Sequence, residues 1–133
     1  HGVSIRPGRP LASATINGKP IIMLPGYPAA AILTFQVFVE PVIGWMLEAE
    51  LPAELKVWGR LTRRVPSRPG VLDLVRVRIK PDGEGGFLVE PLRAAGAGVI
   101  SSVVKANGLL LIPEGREGYE EGEMVEVRLL RSL

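Results

Sequence analysis

The sequence predicts an α+β chain in two regions, a β-hairpin plus helix followed by a mostly β segment. Three observations carry that prediction. Asn17-Gly18 separates two short strand-like runs, and both residues tolerate the positive φ that a tight hairpin turn needs. From Pro28 onward, apolar residues recur at three- and four-residue spacing, as on an amphipathic helix. Beyond about residue 54 the pattern changes to period two with glycine-rich punctuation, which reads as strands and turns. Pro52 marks the joint, dividing the chain into regions 1–51 and 52–133.

The hairpin strands are predicted at Ser13 to Ile16 and Lys19 to Leu24. Ile21, Ile22 and Met23 run without alternation, as in a strand covered on both faces. The helix starts at Pro28, because a missing N–H costs nothing at the first helical position. Its apolar face is predicted to carry Ala31, Ile32, Phe35, Phe38, Val39, Val42 and Ile43. Pro41 removes an internal hydrogen bond and is expected to kink or divide it. In the second region, Leu55, Val57, Leu61 and Val65 alternate around Gly59. Val75, Val77 and Ile79 alternate with Arg76, Arg78 and Lys80, a half-buried strand with a basic outer side. The PDGEGG turn at 81–86 leads into a strand from Phe87 to Leu92. A short helix over Ser101 to Ala106 is stopped by Asn107-Gly108, and the last strands are Leu109–Ile112 and Met124–Leu130.

Composition narrows the chemistry. An apolar fraction of 47% and a charged fraction of 23% are those of a folded globular protein rather than a disordered one. Its 133 residues suffice to bury about two-thirds of the unfolded surface. The absence of cysteine excludes disulfides, thiolate zinc and cysteine nucleophiles. The single histidine is His1, so histidine acid–base chemistry would rest on the first residue. Gln36 and Glu40 interrupt the most apolar stretch, so no membrane span is expected. A net charge of +2 is too small to argue for nucleic acid by itself. The opening HGVSIRPGRP, without an initiator Met, reads as the interior of a longer protein.

One junction stands out as a candidate binding element. In "IIMLPGYPAAA", a strand delivers Pro25, Gly26, Tyr27 and Pro28 into a helix start. Unpaired N–H groups and the positive end of the helix dipole converge there, an arrangement that suits phosphate or another anion. The same junction also reads as a plain strand-to-helix turn, since it lacks the Lys-Ser/Thr of a Walker loop and the spacing of a dinucleotide fingerprint. Just upstream, "RPGRP" places Arg6 and Arg9 around a tight Pro-Gly turn, either as two phosphate-binding guanidinium groups or as two solvated loop arginines. Arg76, Arg78, Lys80, Arg60, Arg63, Arg64 and Arg68 read as a basic face, either a strip that attracts polyanions or, in preference, a solvated or inter-domain face, and the glutamates of "EGREGYEEGE" are expected to be solvated rather than metal-bound.

Three joined stretches, "HGVSIRPGRP", "GKPIIMLPGYPAAAILTFQVFVEPVI" and "ISSVVKANGLLLIPEGREGYEEGEMVEVRLL", resemble the C-terminal part of the MoeA family of molybdopterin molybdotransferases. The last also resembles the end of the gephyrin E domain. This resemblance implies the truncated end of an α/β molybdopterin-binding domain, followed by a barrel-like C-terminal β domain. It implies an intact cytoplasmic homodimer that inserts molybdate into adenylated molybdopterin with help from Mg²⁺, releasing AMP. Arg6 and Arg9 fall on the basic positions of the family's "KPGKP"-like turn, and Pro25 and Pro28 on the prolines of its "LPGNP" loop. With Gly26 and Tyr27, they are the implied molybdopterin and phosphate contacts. Tyr27 departs from the family's usual Asn, whose amide can cap the helix start.

The acidic metal ligands of the family are expected upstream of this chain or in the partner subunit, so no catalytic or metal residue is assigned here and the chain alone is expected to be inactive. The alternative reading is a non-catalytic β-rich binding or dimerisation module. A nucleic-acid adaptor is the weakest reading, because the basic strand lacks aromatics for stacking bases.

Overall fold

The computed structural model describes residues 4–92, 98–131 and 133, with side chains from 101 onward in the second stretch. They divide into two compact units, His1–Ala53 and Glu54–Leu133.

In the first unit, β1 (Ile5–Arg6) enters the basic turn, and β2 (Ala12–Ile16) and β3 (Lys19–Met23) form an antiparallel ribbon. Asn17 and Gly18 hold the tip with φ of 51° and 75°, the geometry for which Asn-Gly is favoured. The expectation that β3 is covered on both faces fails. Ile21 and Met23 are exposed and Ile22 is half-buried, because this ribbon has two strands and its apolar run has no further strand or layer over it among the described residues.

The helix runs without a break from Pro28 to Met46 as α1 (Pro28–Thr34), a π turn (Phe35–Val39) and α2 (Glu40–Met46). Instead of the predicted kink at Pro41, the chain widens by one residue just before it. The Glu40 N–H donates to the Phe35 carbonyl, five residues back. A wider turn relieves the clash between a proline ring and the carbonyl four residues earlier. The buried face also differs from the predicted stripe. Ala29, Ala30, Leu33, Thr34 and Gly44 are buried, whereas Ile32, Phe35 and Ile43 are exposed. The helix is apolar around most of its circumference, so spacing alone does not select a face; small residues do, by permitting close approach. A Cβ on Gly44 would lie 2.6 Å from Leu51 Cγ. The buried Thr34 hydroxyl donates to the Ala30 carbonyl at 2.7 Å, which removes the cost of burying it. With 19 residues and a mean hydropathy of 1.5, this helix is long and apolar enough to cross a membrane by length and composition, contrary to the sequence expectation. A core helix meets the same criterion, and a third of the apolar window is buried.

The second unit is a closed five-stranded barrel. Its strands are β4 (Lys56–Leu61), β6 (Leu72–Pro81), β7 (Phe87–Pro91), β8 (Gly108–Ile112) and β10 (Met124–Leu129), in the order β6-β7-β4-β10-β8 with β8 returning to β6. Neighbours are antiparallel except β4 and β7, which run parallel. Between β4 and β6 lies the short β5 (Val65–Pro66), which pairs with β9 (Gly118–Tyr119), and α3 (Gly98–Lys105) links β7 to β8. Alternate residues point inward and form the core: Leu61, Val77, Ile79, Val89, Leu110, Ile112, Val125 and Val127. Closure pairs every strand of the barrel on both sides, so no long edge is left exposed.

Gly59 and Gly108 set how tightly the barrel closes. A Cβ at 59 would sit 2.7 Å from Val89 Cγ2, and one at 108 would sit 2.6 Å from Ile79 Cδ1 and 2.7 Å from Val127 Cγ1. Asn107 does more than stop a helix. Its Oδ1 accepts the Ile79 N–H at 2.7 Å and its Nδ2 donates to the Ile79 carbonyl at 3.0 Å, so the amide extends the β6–β8 ladder by one pseudo-residue.

Candidate functional site

The hairpin places the two predicted binding elements at the same end of the ribbon. Ala12, which follows the basic turn after Leu11, is paired with Met23, which precedes the Pro25–Pro28 loop after Leu24. The turn is also fixed against the helix. The Leu11 N–H donates to the Gly8 carbonyl at 2.9 Å, and Gly8 adopts φ of 127°. A Cβ on Gly8 would fall 2.3 Å from Thr34 Cγ2 and 2.8 Å from Ile5 Cδ1. Only glycine meets both demands, so the spacing of Arg6 and Arg9 is set by a packed turn rather than a free loop. Both arginines are exposed, as a polyanion contact requires.

Across the hairpin, Pro25 is buried while Gly26, Tyr27 and Pro28 are exposed. Tyr27 is the N-cap with φ of −77° and ψ of 126°, and its side chain makes no capping hydrogen bond. The Ala31 N–H donates to the Tyr27 carbonyl at 2.9 Å, which closes the first helical turn. The N–H groups of Ala29 and Ala30 stand in that turn, where no carbonyl four residues back is available within the helix. Gly26 has neither a positive φ nor a crowded neighbourhood, since nothing lies within 4 Å of a Cβ placed there. Among the described residues, the fold therefore imposes no demand for glycine at 26. The phenol of Tyr27, 81% exposed, stands beside this open backbone.

The predicted basic face is dismantled by local partners. Arg63 Nη2 donates to the Pro91 carbonyl and Arg60 Nη1 to the Gly122 carbonyl at 3.2 Å. Lys80 pairs with Glu90 at 2.6 Å and Arg64 with Glu120 at 3.1 Å. Arg76 is buried. Arg68 and Arg78 remain exposed, one in a loop and one on β6.

The acidic segments are structural as well. Asp82 accepts the Glu84 N–H at 2.7 Å and the Gly86 N–H at 2.9 Å, and those bonds hold its carboxyl below the usual range. Arg116 lies 4.0 Å over the Tyr119 ring, donates to the Gly118 carbonyl at 2.9 Å, and pairs with Glu123. Glu123 in turn accepts the Glu120 N–H at 3.0 Å, so "EGREGYEEGE" is a braced turn. Asp73 is buried and accepts the Ser67 hydroxyl. Among the described residues, no group of three or more His, Asp or Glu side chains is arranged to hold a metal ion.

Sequence reasoning missed the packing of Gly8 against Thr34, which fixes the basic turn. The Pro-Gly dipeptide was a signal for the turn, but nothing local announces a contact with a helix 26 residues later.

Comparison with known proteins places this geometry. Residues 59–130 match the family described as MoeA C-terminal region (domain IV). A relative from Methanocaldococcus jannaschii, named for molybdopterin biosynthesis, is 43% identical over 98% of this chain and 29% of its own length. The molybdopterin molybdenumtransferase of Bacillus subtilis is 31% identical over 97% of this chain and 30% of its own. The crystal structure of the molybdopterin biosynthesis MoeA protein from Pyrococcus horikoshii superimposes with a TM-score of 0.81 at 31% identity, over 97% of this chain and 31% of that one. The chain thus spans about three-tenths of the length of these relatives.

Proposed function

Because this chain belongs to the MoeA family, matching its C-terminal region, we propose that it is the C-terminal part of a molybdopterin molybdotransferase acting in molybdenum cofactor biosynthesis. The observation that carries the reading is the extent of the similarity. It runs through 98% of the chain and so takes in the basic turn and the Pro25–Pro28 loop as well as the barrel. In this reading, the intact cytoplasmic homodimer inserts molybdate into adenylated molybdopterin and releases AMP. This chain's contribution is binding. Arg6 and Arg9 neutralise phosphate oxygens through charge-assisted hydrogen bonds. The open backbone at Gly26 and the first-turn N–H groups after Pro28 donate to a further anionic oxygen. Tyr27 offers a flat, exposed ring to the pterin, in place of the amide that would cap the helix.

Mg²⁺ belongs to the reaction as the family performs it, but the residues described here do not fit it. Asp73 is committed to Ser67 and Asp82 to its own turn, and the described glutamates form no cluster with them. No step is therefore assigned to a metal on this chain, and the chain on its own is expected to bind without turning over.

The test is Arg6→Ala in the intact protein, with affinity for adenylated molybdopterin read by calorimetry. Loss of one charge-assisted contact is expected to weaken binding by about tenfold or more, with an unchanged circular dichroism spectrum. Unchanged affinity would remove Arg6 from the site. It would then favour the second reading, a non-catalytic assembly module, for which the exposed Phe35, Trp45, Met46 and Leu47 speak.

A further inference from the structure

Thr34, the last residue of α1, has no exposed surface, and the two branches of its side chain have different partners. The hydroxyl donates to the Ala30 carbonyl at 2.7 Å and lies 3.2 Å from the Ala31 carbonyl, so its own helix satisfies it. The γ-methyl faces Gly8, where an added Cβ would stand 2.3 Å from it. A helical threonine has more than one accessible χ1, because its hydroxyl can reach carbonyls of the preceding turn in either. Here the bond to Ala30 holds the rotamer that sets the methyl against Gly8.

Gly8 is the centre of the basic turn. It is buried together with Ile5 and Leu11, while Arg6 and Arg9 on either side of it are exposed. The Leu11 N–H donates to its carbonyl at 2.9 Å, and Ile5 Cδ1 would lie 2.8 Å from the same added Cβ. The turn is therefore held at its middle, and the two guanidinium groups leave it from opposite flanks. An arginine already gives up rotamer freedom when it binds, and a wandering backbone would add to that cost.

We propose that Thr34 is a positioning residue of the candidate molybdopterin site. Its methyl, locked by the hydroxyl, holds Gly8 and thereby the spacing at which Arg6 and Arg9 meet phosphate oxygens. This rests on the ligand reading of those two arginines. Thr34 is fully enclosed and acts only through the turn. Its two branches can be tested apart. Serine keeps the hydrogen bond and removes the methyl; valine keeps apolar volume against Gly8 and removes the bond.

The experiment is calorimetric affinity for adenylated molybdopterin in the intact protein. It compares the natural sequence, Thr34→Ser, Thr34→Val, Arg6→Ala, and Arg6→Ala combined with Thr34→Ser. Thr34→Ser is expected to weaken binding about three- to tenfold with an unchanged circular dichroism spectrum, and Thr34→Val to bind as the natural protein does. In Arg6→Ala no pair is left to space, so adding Thr34→Ser is expected to cost little more. A general loosening of the fold would not produce that non-additivity. If Arg6→Ala itself binds normally, the ligand reading fails and this inference with it. If Arg6→Ala weakens binding and Thr34→Ser does not, the site stands and the positioning role falls. A Thr34→Ser loss that persists in full beside Arg6→Ala also overturns it, because the effect then reaches the ligand by another route. Should Thr34→Ser fail to fold, Thr34→Val decides: natural affinity supports the methyl as the positioning group, and weakened affinity refutes it.

Discussion

The barrel and the hairpin–helix unit are built from similarly apolar segments, but they treat those segments differently. In the barrel, period-two alternation sends Val77, Ile79, Val89, Leu110 and Val127 inward, and each is at most 3% exposed. Closure of β8 onto β6 completes both the core and the hydrogen-bond ladder. In the first unit, a two-stranded ribbon and a helix leave Met23, Phe35, Trp45, Met46 and Leu47 open. The contrast teaches that apolar content sets how much surface seeks cover, while topology sets whether a segment can cover itself. A sheet can close on itself; one helix and one ribbon cannot.

Three measurements break or sharpen that comparison. The largest effect is expected from Leu110→Ala, which opens a cavity at a fully buried core position. A loss of about 2–5 kcal/mol in unfolding free energy is expected from urea titration. A loss below about 1 kcal/mol, on the scale of surface changes, would mean that the barrel is less tightly closed than its geometry shows.

The second acts on the other side of the contrast. Replacing Phe35 and Trp45 together by glutamine is expected to change stability by only about 0.5 kcal/mol or less per site. It is expected to reduce concentration-dependent self-association of the chain in sedimentation velocity. Undiminished association would show that the exposed helix residues are not the adhesive surface.

The smallest effect is the pH response. Glu90 is held below its usual range, first by its hydrogen bond from Lys80, and Asp82 by the backbone N–H groups of Glu84 and Gly86. A carboxylate whose pKa is lowered in the folded state stabilises the fold above its unfolded pKa, and that contribution disappears as pH falls through the lowered value. A modest decline in Tm is therefore expected on acidification below about pH 4. Lys80→Gln is expected to flatten the Glu90 share of it, and an unaltered profile would assign the decline to other groups.

Much of the barrel was legible in the sequence because strands such as Val75 to Lys80 declare their inward face by alternation, although β8, apolar throughout, does not. The hairpin was equally legible from Asn17-Gly18, since the positive φ at both positions is a local requirement. The helix face was not. With apolar residues around most of its circumference, the stripe through Ile32, Phe35 and Ile43 was as well formed as the one through Ala29, Ala30 and Leu33 that packs inward. For the candidate site, residue types and order were readable at Arg6, Arg9 and Pro25–Pro28. The fit of Gly8 against Thr34 was not, because it joins positions that no local pattern relates.

By itself the sequence determined the α+β class, the hairpin tip, the strand faces of the barrel and the family resemblance, all of which rest on neighbours a few residues apart or on motifs in order. The family resemblance also implied the barrel-like second domain, but only the tertiary structure decided which strands pair to close it, that a π turn absorbs Pro41, that Arg76 is buried, and that Asn107 serves as part of the sheet. Each of these depends on which distant groups come within a few ångströms, where excluded volume and desolvation act, and no local pattern encodes that distance.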